Sequence, residues 1–193
     1  MNKYMFCMSC GEEREVEIRE EKEAYPVKNE PTEINAQVTY CKHCGEQIWN
    51  EELDEENLKE AYKQYRIVHG LLQPEDVKRI REKYNLTQTA FAKILGFGEK
   101  TIARYETGSI QDAAQNNLIE LANYPNIFLL LLKKNENLIS NIDYEKAEKA
   151  LKLLMATIIV GEKAFPYQTC RSVYHYNTSN TNYFGGLPNV KAS

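Results

Sequence analysis

Two cysteine pairs of the same pattern lie near the start of the chain, in the segments CMSCGEE and CKHCGEQ. A Cys-x-x-Cys turn presents two thiolates at once, and zinc prefers four such soft ligands in a tetrahedron. The glycine after each second cysteine can adopt a positive φ, which turns backbone amides toward the sulfurs. The pattern favours one closed, structural zinc site formed by Cys7, Cys10, Cys41 and Cys44.

An iron or redox site and unligated core thiols are the alternatives. A redox Cys-x-x-Cys needs only one pair, usually at a helix N-terminus after a strand, and neither pair has that context. His43 lies inside the second pair and is expected to be exposed rather than a ligand, and Cys170 has no partner. No serine or carboxylate arrangement accompanies His69 or His175. The sequence therefore predicts no catalytic residues and no enzyme.

A second segment, TQTAFAKILGFGEKTIARYETG, has the pattern of a helix-turn-helix. With Gln88 as the first position, the fifth is Ala92, small enough for two helices to cross closely. The ninth is Gly96, which can take the left-handed turn. The fifteenth and eighteenth are Ile102 and Tyr105, which would seal the second helix onto the first. An ordinary helical hairpin is the alternative.

The polar residues of the second helix suggest how such a motif would meet DNA. Lys100 and Arg104 are four residues apart and hence neighbours on one helix face. Both side chains suit the acceptors of guanine in the major groove, so we expect them to read bases. We expect Gln88 and Thr101 mainly to position the helix on the DNA backbone.

Composition indicates a folded, water-soluble chain. Hydrophobic residues make up 42% of the 193 positions and charged residues 27%. The longest apolar run, IFLLLL, is far shorter than the roughly 20 residues of a membrane span. The first ten residues contain no apolar signal-peptide segment. Together with paired cysteines, which suit a reducing compartment, these features predict a cytoplasmic protein with no membrane partner.

The net charge of −4 is unevenly distributed. Residues 1–66 carry 9 Lys/Arg and 16 Asp/Glu, whereas the remaining residues carry 15 and 12. An acidic surface repels nucleic acid, so we expect residues 67–193, the rear half of the chain, to bind DNA. The acidic front is either a well-solvated surface or a surface for a basic partner.

The periodicity predicts an α+β protein with four segments. Residues 1–54 form a small β-rich, four-cysteine domain with short strands in REVEIRE and EINAQVTY, joined by the turn-rich YPVKNEP. Residues 55–70 form a helical linker; the helical period begins a little earlier, with an apolar stripe of Leu53, Leu58, Tyr62, Tyr65 and Val68. Residues 71–137 form an all-α helix-turn-helix bundle, and residues 138–193 an appended segment of unknown role that begins with an amphipathic helix.

The order of these parts resembles the MqsA-type antitoxins, a YgiT-type zinc finger followed by an Xre/Cro-family helix-turn-helix. The resemblance rests on the spaced cysteine pairs and on RIREKYNLTQTAFAKILGFGEKTIARYETG, and it covers residues 1 to about 137. It implies one zinc on the four cysteines, a DNA-binding homodimer on a palindromic operator, and a toxin held by the zinc domain. The base-reading positions fall on Lys100 and Arg104. The family has Asn at the first, so Lys100 implies a different operator sequence.

The sequence is therefore compatible with three functions. The first is a DNA-binding antitoxin and repressor of a type II toxin-antitoxin operon, with a basic toxin on the acidic front. The second is a free-standing regulator of a phage or mobile element that has no toxin partner. The third is a Cys-x-x-Cys redox protein. Bound zinc without redox cycling would exclude the third, and a neighbouring gene for a basic toxin would favour the first.

Overall fold

The two cysteine pairs lie at the ends of strands in a four-stranded antiparallel sheet. The computed structural model describes residues 4–160. The strands are β1 (Tyr4–Cys7), β2 (Glu12–Val27), β3 (Glu30–Cys41) and β4 (Gln47–Ile48), in the order β1-β2-β3-β4. Together with the helices that follow, this sheet confirms the predicted α+β class.

The hairpin of β2 and β3 is longer than the sequence pattern predicted. The turn lies within YPVKNEP as predicted, but it is shorter than that segment because Tyr25, Pro26 and Val27 continue β2. The turn consists of Lys28 and Asn29, whose φ angles are 47° and 66°. A two-residue turn with both φ values positive matches the twist of the flanking strands, and it leaves every other residue free to pair.

Helix α1 (Glu51–Val68) packs against β3. Its buried side is Leu53, Asn57, Ala61 and Tyr65. The predicted apolar stripe was wrong at Leu58 and Val68, which are 42% and 77% exposed.

Asn57 takes the place of an apolar residue on this buried side. Its Nδ2 donates to the carbonyl of Gln37 at 3.0 Å, and its Oδ1 accepts from the Gln37 N–H at 2.9 Å. The amide thus satisfies both backbone groups at the edge of β3, as a neighbouring strand would. A hydrophobic pattern cannot indicate such a residue.

Within residues 4–160, six further helices follow α1 and form a bundle. They are α2 (Pro74–Glu82), α3 (Gln88–Ile94), α4 (Thr101–Glu106), α5 (Ala113–Ala122), α6 (Pro125–Lys134) and α7 (Asn141–Val160), with a 3-10 turn at Glu136–Leu138. Tyr84 stacks on Phe128 with ring centroids 3.8 Å apart, and its hydroxyl donates to the Ala122 carbonyl at 2.7 Å. This buried aromatic pair joins the α2–α3 turn to α5 and α6.

Polar contacts connect α1 to the bundle. The buried guanidinium of Arg66 donates to the carbonyl of Gly108, just beyond α4. Lys28 Nζ, at the hairpin turn, donates to the Gln111 carbonyl at 3.0 Å. Elements β1 to α7 belong to one compact unit, and the predicted domain boundaries stay a prediction.

The helix predicted at the start of the appended segment is present as α7, with Ala147 and Leu151 buried. The rest of that segment, including Cys170 and His175, lies outside the described residues. Within the described range, no helix is both long and apolar enough to span a bilayer.

Candidate metal centre and nucleic-acid interface

The structure brings the four predicted cysteines together. Their sulfur atoms all lie within 4.8 Å of one another. Cys7 Sγ is 3.5 Å from Cys44 Sγ, and Cys10 Sγ is 4.0 Å from Cys41 Sγ. A tetrahedral zinc with bonds of about 2.3 Å holds its sulfurs about 3.8 Å apart. The donor set and its spacing therefore fit a four-thiolate metal site.

Tight turns present the two members of each pair. The N–H of Gly11 donates to the Cys7 carbonyl at 2.9 Å, and the N–H of Gly45 donates to the Cys41 carbonyl at 2.8 Å. Both glycines have positive φ, 73° and 76° respectively. Residues with a Cβ rarely adopt this conformation, which explains why glycine follows each pair.

The surroundings shift the thiol pKa values of Cys41 and Cys10 in opposite directions. Cys41 is fully buried, and the backbone N–H of Cys44 lowers the pKa of its thiol to about 7. Desolvation raises the pKa of Cys10 to about 12. His43 is exposed as expected, with Nδ1 3.6 Å from Cys10 Sγ. A small apolar cluster containing Ile48, Met5 and Val16 closes one side of the site.

Residues of the predicted helix-turn-helix have the burial and backbone conformation that the sequence pattern requires. Ala92 and Ile102 are fully buried, and Tyr105 is 8% exposed. Gly96 has φ 73° after α3. At the start of α3, Thr87 Oγ1 accepts from the N–H of Ala90 at 3.2 Å and caps the helix.

The four predicted DNA-contacting residues occupy three kinds of position. Lys100 and Arg104 are exposed at the start and in the last turn of α4, and Thr101 is half-buried. Gln88 begins α3, but its Nε2 donates to Glu106 Oε2 at 2.7 Å. Their contacts with DNA stay a prediction.

Sequence reasoning missed the ion pair that fastens α4 to α2. Arg81 Nε donates to Glu106 Oε1 at 2.6 Å, and Nη2 donates to Oε2 at 3.0 Å. Only 11% of the Arg81 side chain and 5% of the Glu106 side chain are exposed. Because charged residues are usually exposed, no local pattern marks these two as partners.

A comparison with protein families places most of the chain in one family. A family model described as the antitoxin component of a bacterial toxin-antitoxin system, MqsA, matches residues 5–142. The chain belongs to the MqsA antitoxin family. Membership confirms the resemblance inferred from the motifs.

A curated relative gives the same result over a shorter range. This antitoxin-family chain is 34% identical over 74 residues to Antitoxin MqsA of Escherichia coli (strain K12). The alignment covers 37% of the chain and 56% of the relative, so the chain spans little more than half of that protein. Helix α7 lies almost wholly beyond the part matched by the family model.

Proposed function

We propose that this chain is a sequence-specific DNA-binding antitoxin that represses its own type II toxin-antitoxin operon. It acts in the cytoplasm as a homodimer on a palindromic operator, and it binds rather than catalyses. One structural zinc on Cys7, Cys10, Cys41 and Cys44 supports the part of the sheet that holds a partner toxin. The main observation in favour of DNA recognition is that α4 has two different sides. Ile102 and Tyr105 are buried, whereas Lys100 and Arg104 are exposed.

The exposed side of α4 supports base reading. Arg and Lys pair best with the O6 and N7 acceptors of guanine, so each half-site should contain at least one G at the contacted step. Thr101 lies in the first turn of α4, where it can contact the backbone or help position the helix. Gln88 lies at the start of α3, where its amide can support Glu106 and approach a phosphate.

Arg104→Ala should weaken binding to the operator by roughly 1–3 kcal/mol and to scrambled DNA much less, because the variant lacks a base-reading side chain. Gln88→Ala should weaken both duplexes more evenly. Titrations with the DNA upstream of the chain's own gene and with a scrambled duplex measure this difference. Equal losses on both duplexes for Arg104→Ala would mean that this residue contacts phosphate only.

The same titrations test the dimer. A homodimer should protect two half-sites about one helical turn apart in a footprint of the upstream DNA. Sedimentation of the free chain at micromolar concentration gives the matching oligomeric state. A monomer that protects a single half-site would contradict the homodimer.

The acidic surface of the sheet is an argument that the partner toxin is basic. Exposed carboxylates of the N-terminal half occur on both long strands and on α1, among them Glu13, Glu20, Glu33, Glu52 and Glu56. Oppositely charged surfaces accelerate association, and salt screens this attraction. The partner to test is the basic protein encoded beside this chain's gene.

Changing Glu13, Glu20 and Glu33 together to Gln should slow toxin association several-fold at low salt and have little effect at high salt. The control changes Glu136 and Glu145 to Gln, two exposed acids of the rear half. Stopped-flow mixing of the full chain with the toxin measures both. Equal rates for the parent and the triple variant would exclude this surface, and a chain with no toxin beside its gene would favour the free-standing regulator.

A further inference from the structure

Helix α7 has a fixed place on the helix-turn-helix bundle although the family model ends near its start. It packs against α6, and its buried residues Ala147 and Leu151 belong to the same core as Ile80 and Phe91. The helix is therefore built into the bundle, and its outward-facing residues are held in fixed positions relative to α2 and α3.

A cleft of about 740 Å³ separates one side of α7 from the α2–α3 turn. From α7 it is lined by Lys146, Lys149 and Leu153, whose spacing of three and four residues places them along one side of the helix. Across the cleft lie Arg81, Glu82, Asn85 and Leu86.

The two lysines are the cations of this cleft that no carboxylate neutralises. Arg81 is bonded to Glu106, and Glu82 lies 3.4 Å from Arg81 and 4.0 Å from Lys78. On the same helix, Lys152 Nζ is paired with Glu148 at 3.0 Å. Among residues 4–156, neither Lys146 nor Lys149 forms an ion pair, and both are exposed.

The cleft borders the segment that precedes the predicted DNA-binding residues. Asn85 and Leu86 line it, and Gln88, the first residue of α3, follows Leu86 after one intervening residue. Arg81 Nη1 donates to the Leu86 carbonyl at 2.8 Å while the same guanidinium holds Glu106 of α4. The lysines of α7 thus lie across the cleft from the turn that leads into α3, where a helix-turn-helix approaches the phosphates.

We propose that α7 is an accessory DNA-binding helix that contacts the phosphate backbone through Lys146 and Lys149. The inference rests on the proposed DNA binding by α3 and α4 and extends its footprint. Lysine ammonium groups bind phosphate as point charges and release condensed counterions, so these contacts strengthen binding to any sequence. The electrostatic contribution to the free energy of DNA binding would then be larger than the contribution from α3 and α4 alone.

The test compares the full-length parent with Lys146→Gln/Lys149→Gln on the upstream duplex and on a scrambled duplex. We expect the double variant to bind both duplexes on the order of 100-fold more weakly than the parent at 200 mM salt, and the difference to grow at lower salt, because the lost contacts are to phosphates and carry no sequence information. Between 50 and 200 mM salt, the log–log slope should become shallower by roughly 0.9 for each phosphate that is no longer neutralised, hence by about 3–4 for a dimer. Lys149→Gln should show part of both effects.

The matched control is Lys152→Gln, which removes the same charge from the same helix outside the cleft. Thermal unfolding of each variant should match the parent, because the substituted lysines are exposed. A double variant that binds like Lys152→Gln, with an unchanged salt slope, would overturn the role of α7 while leaving DNA binding by α4 intact. A weakening confined to the upstream duplex would also overturn it. A parent chain that binds neither duplex would instead overturn the proposed function itself.

Discussion

Cys41→Ser should reduce bound zinc from one per chain to none and unfold the part of the sheet that holds the cysteine pairs. Serine offers no thiolate, and Cys41 is, with Cys7, one of the two buried members of the set. In small zinc domains the metal contributes on the order of 10 kcal/mol of apparent binding free energy at pH 7, which is also folding free energy. Metal analysis of the purified chain and amide hydrogen exchange measure the two effects.

The loss of protection should be local. β1, β4 and the adjoining ends of β2 and β3 surround the cysteines and share only a small apolar cluster. The distal hairpin packs Val27, Ile34 and Val38 against Ala61 and Tyr65 of α1, so its amides should stay protected. Exchange of the whole hairpin at the rate of β1 would show that the metal supports the entire N-terminal half.

His43→Ala is the matched control for the metal site. The imidazole lies beside Cys10 but is exposed, and the four sulfurs suffice for a tetrahedral zinc. This variant should retain one zinc per chain. A cobalt-substituted parent should give the spectrum of four thiolates, and a spectrum of three thiolates with an imidazole or an exchangeable water would contradict the closed site.

Glu106→Ala should destabilise the helical bundle by about 3–5 kcal/mol, because it leaves the buried guanidinium of Arg81 with only the exposed carboxylate of Glu82, 3.4 Å away. An arginine guanidinium keeps its charge at any ordinary pH, so the variant cannot escape this penalty by deprotonation. The same change removes the acceptor of Gln88. Urea unfolding followed by circular dichroism gives the free energy of unfolding.

A surface ion pair of the same motif provides the control for Glu106→Ala. Glu99 lies 2.9 Å from Lys93, and 64% of the Glu99 side chain is exposed. Glu99→Ala should therefore cost less than about 1 kcal/mol. The double variant Arg81→Met/Glu106→Met should recover part of the stability, because it removes the stranded charge. Equal destabilisation by Glu99→Ala and Glu106→Ala would show that burial of the Arg81–Glu106 pair does not determine its effect on stability.

The sequence alone determined the features that local chemistry dictates. Four thiols in two glycine-ended turns indicated a metal site, because the ligand type and the turn are both local properties. The positions of Ala92, Gly96 and Ile102 indicated the helix-turn-helix, because helix crossing and a left-handed turn each restrict the residue type at one place. The amphipathic pattern from residue 143 onward likewise indicated α7.

Only the tertiary structure decided which distant polar groups meet. Asn57 lies on the buried side of α1 because the edge of β3 needs a donor and an acceptor there. Glu106 is buried because Arg81 reaches it from another helix, and Lys146 borders the α2–α3 turn because α7 packs into the bundle core. Hydrophobic periodicity records which side of an element is buried, but not which group it faces. The partners of buried polar and charged residues are therefore set by packing between elements far apart in the chain.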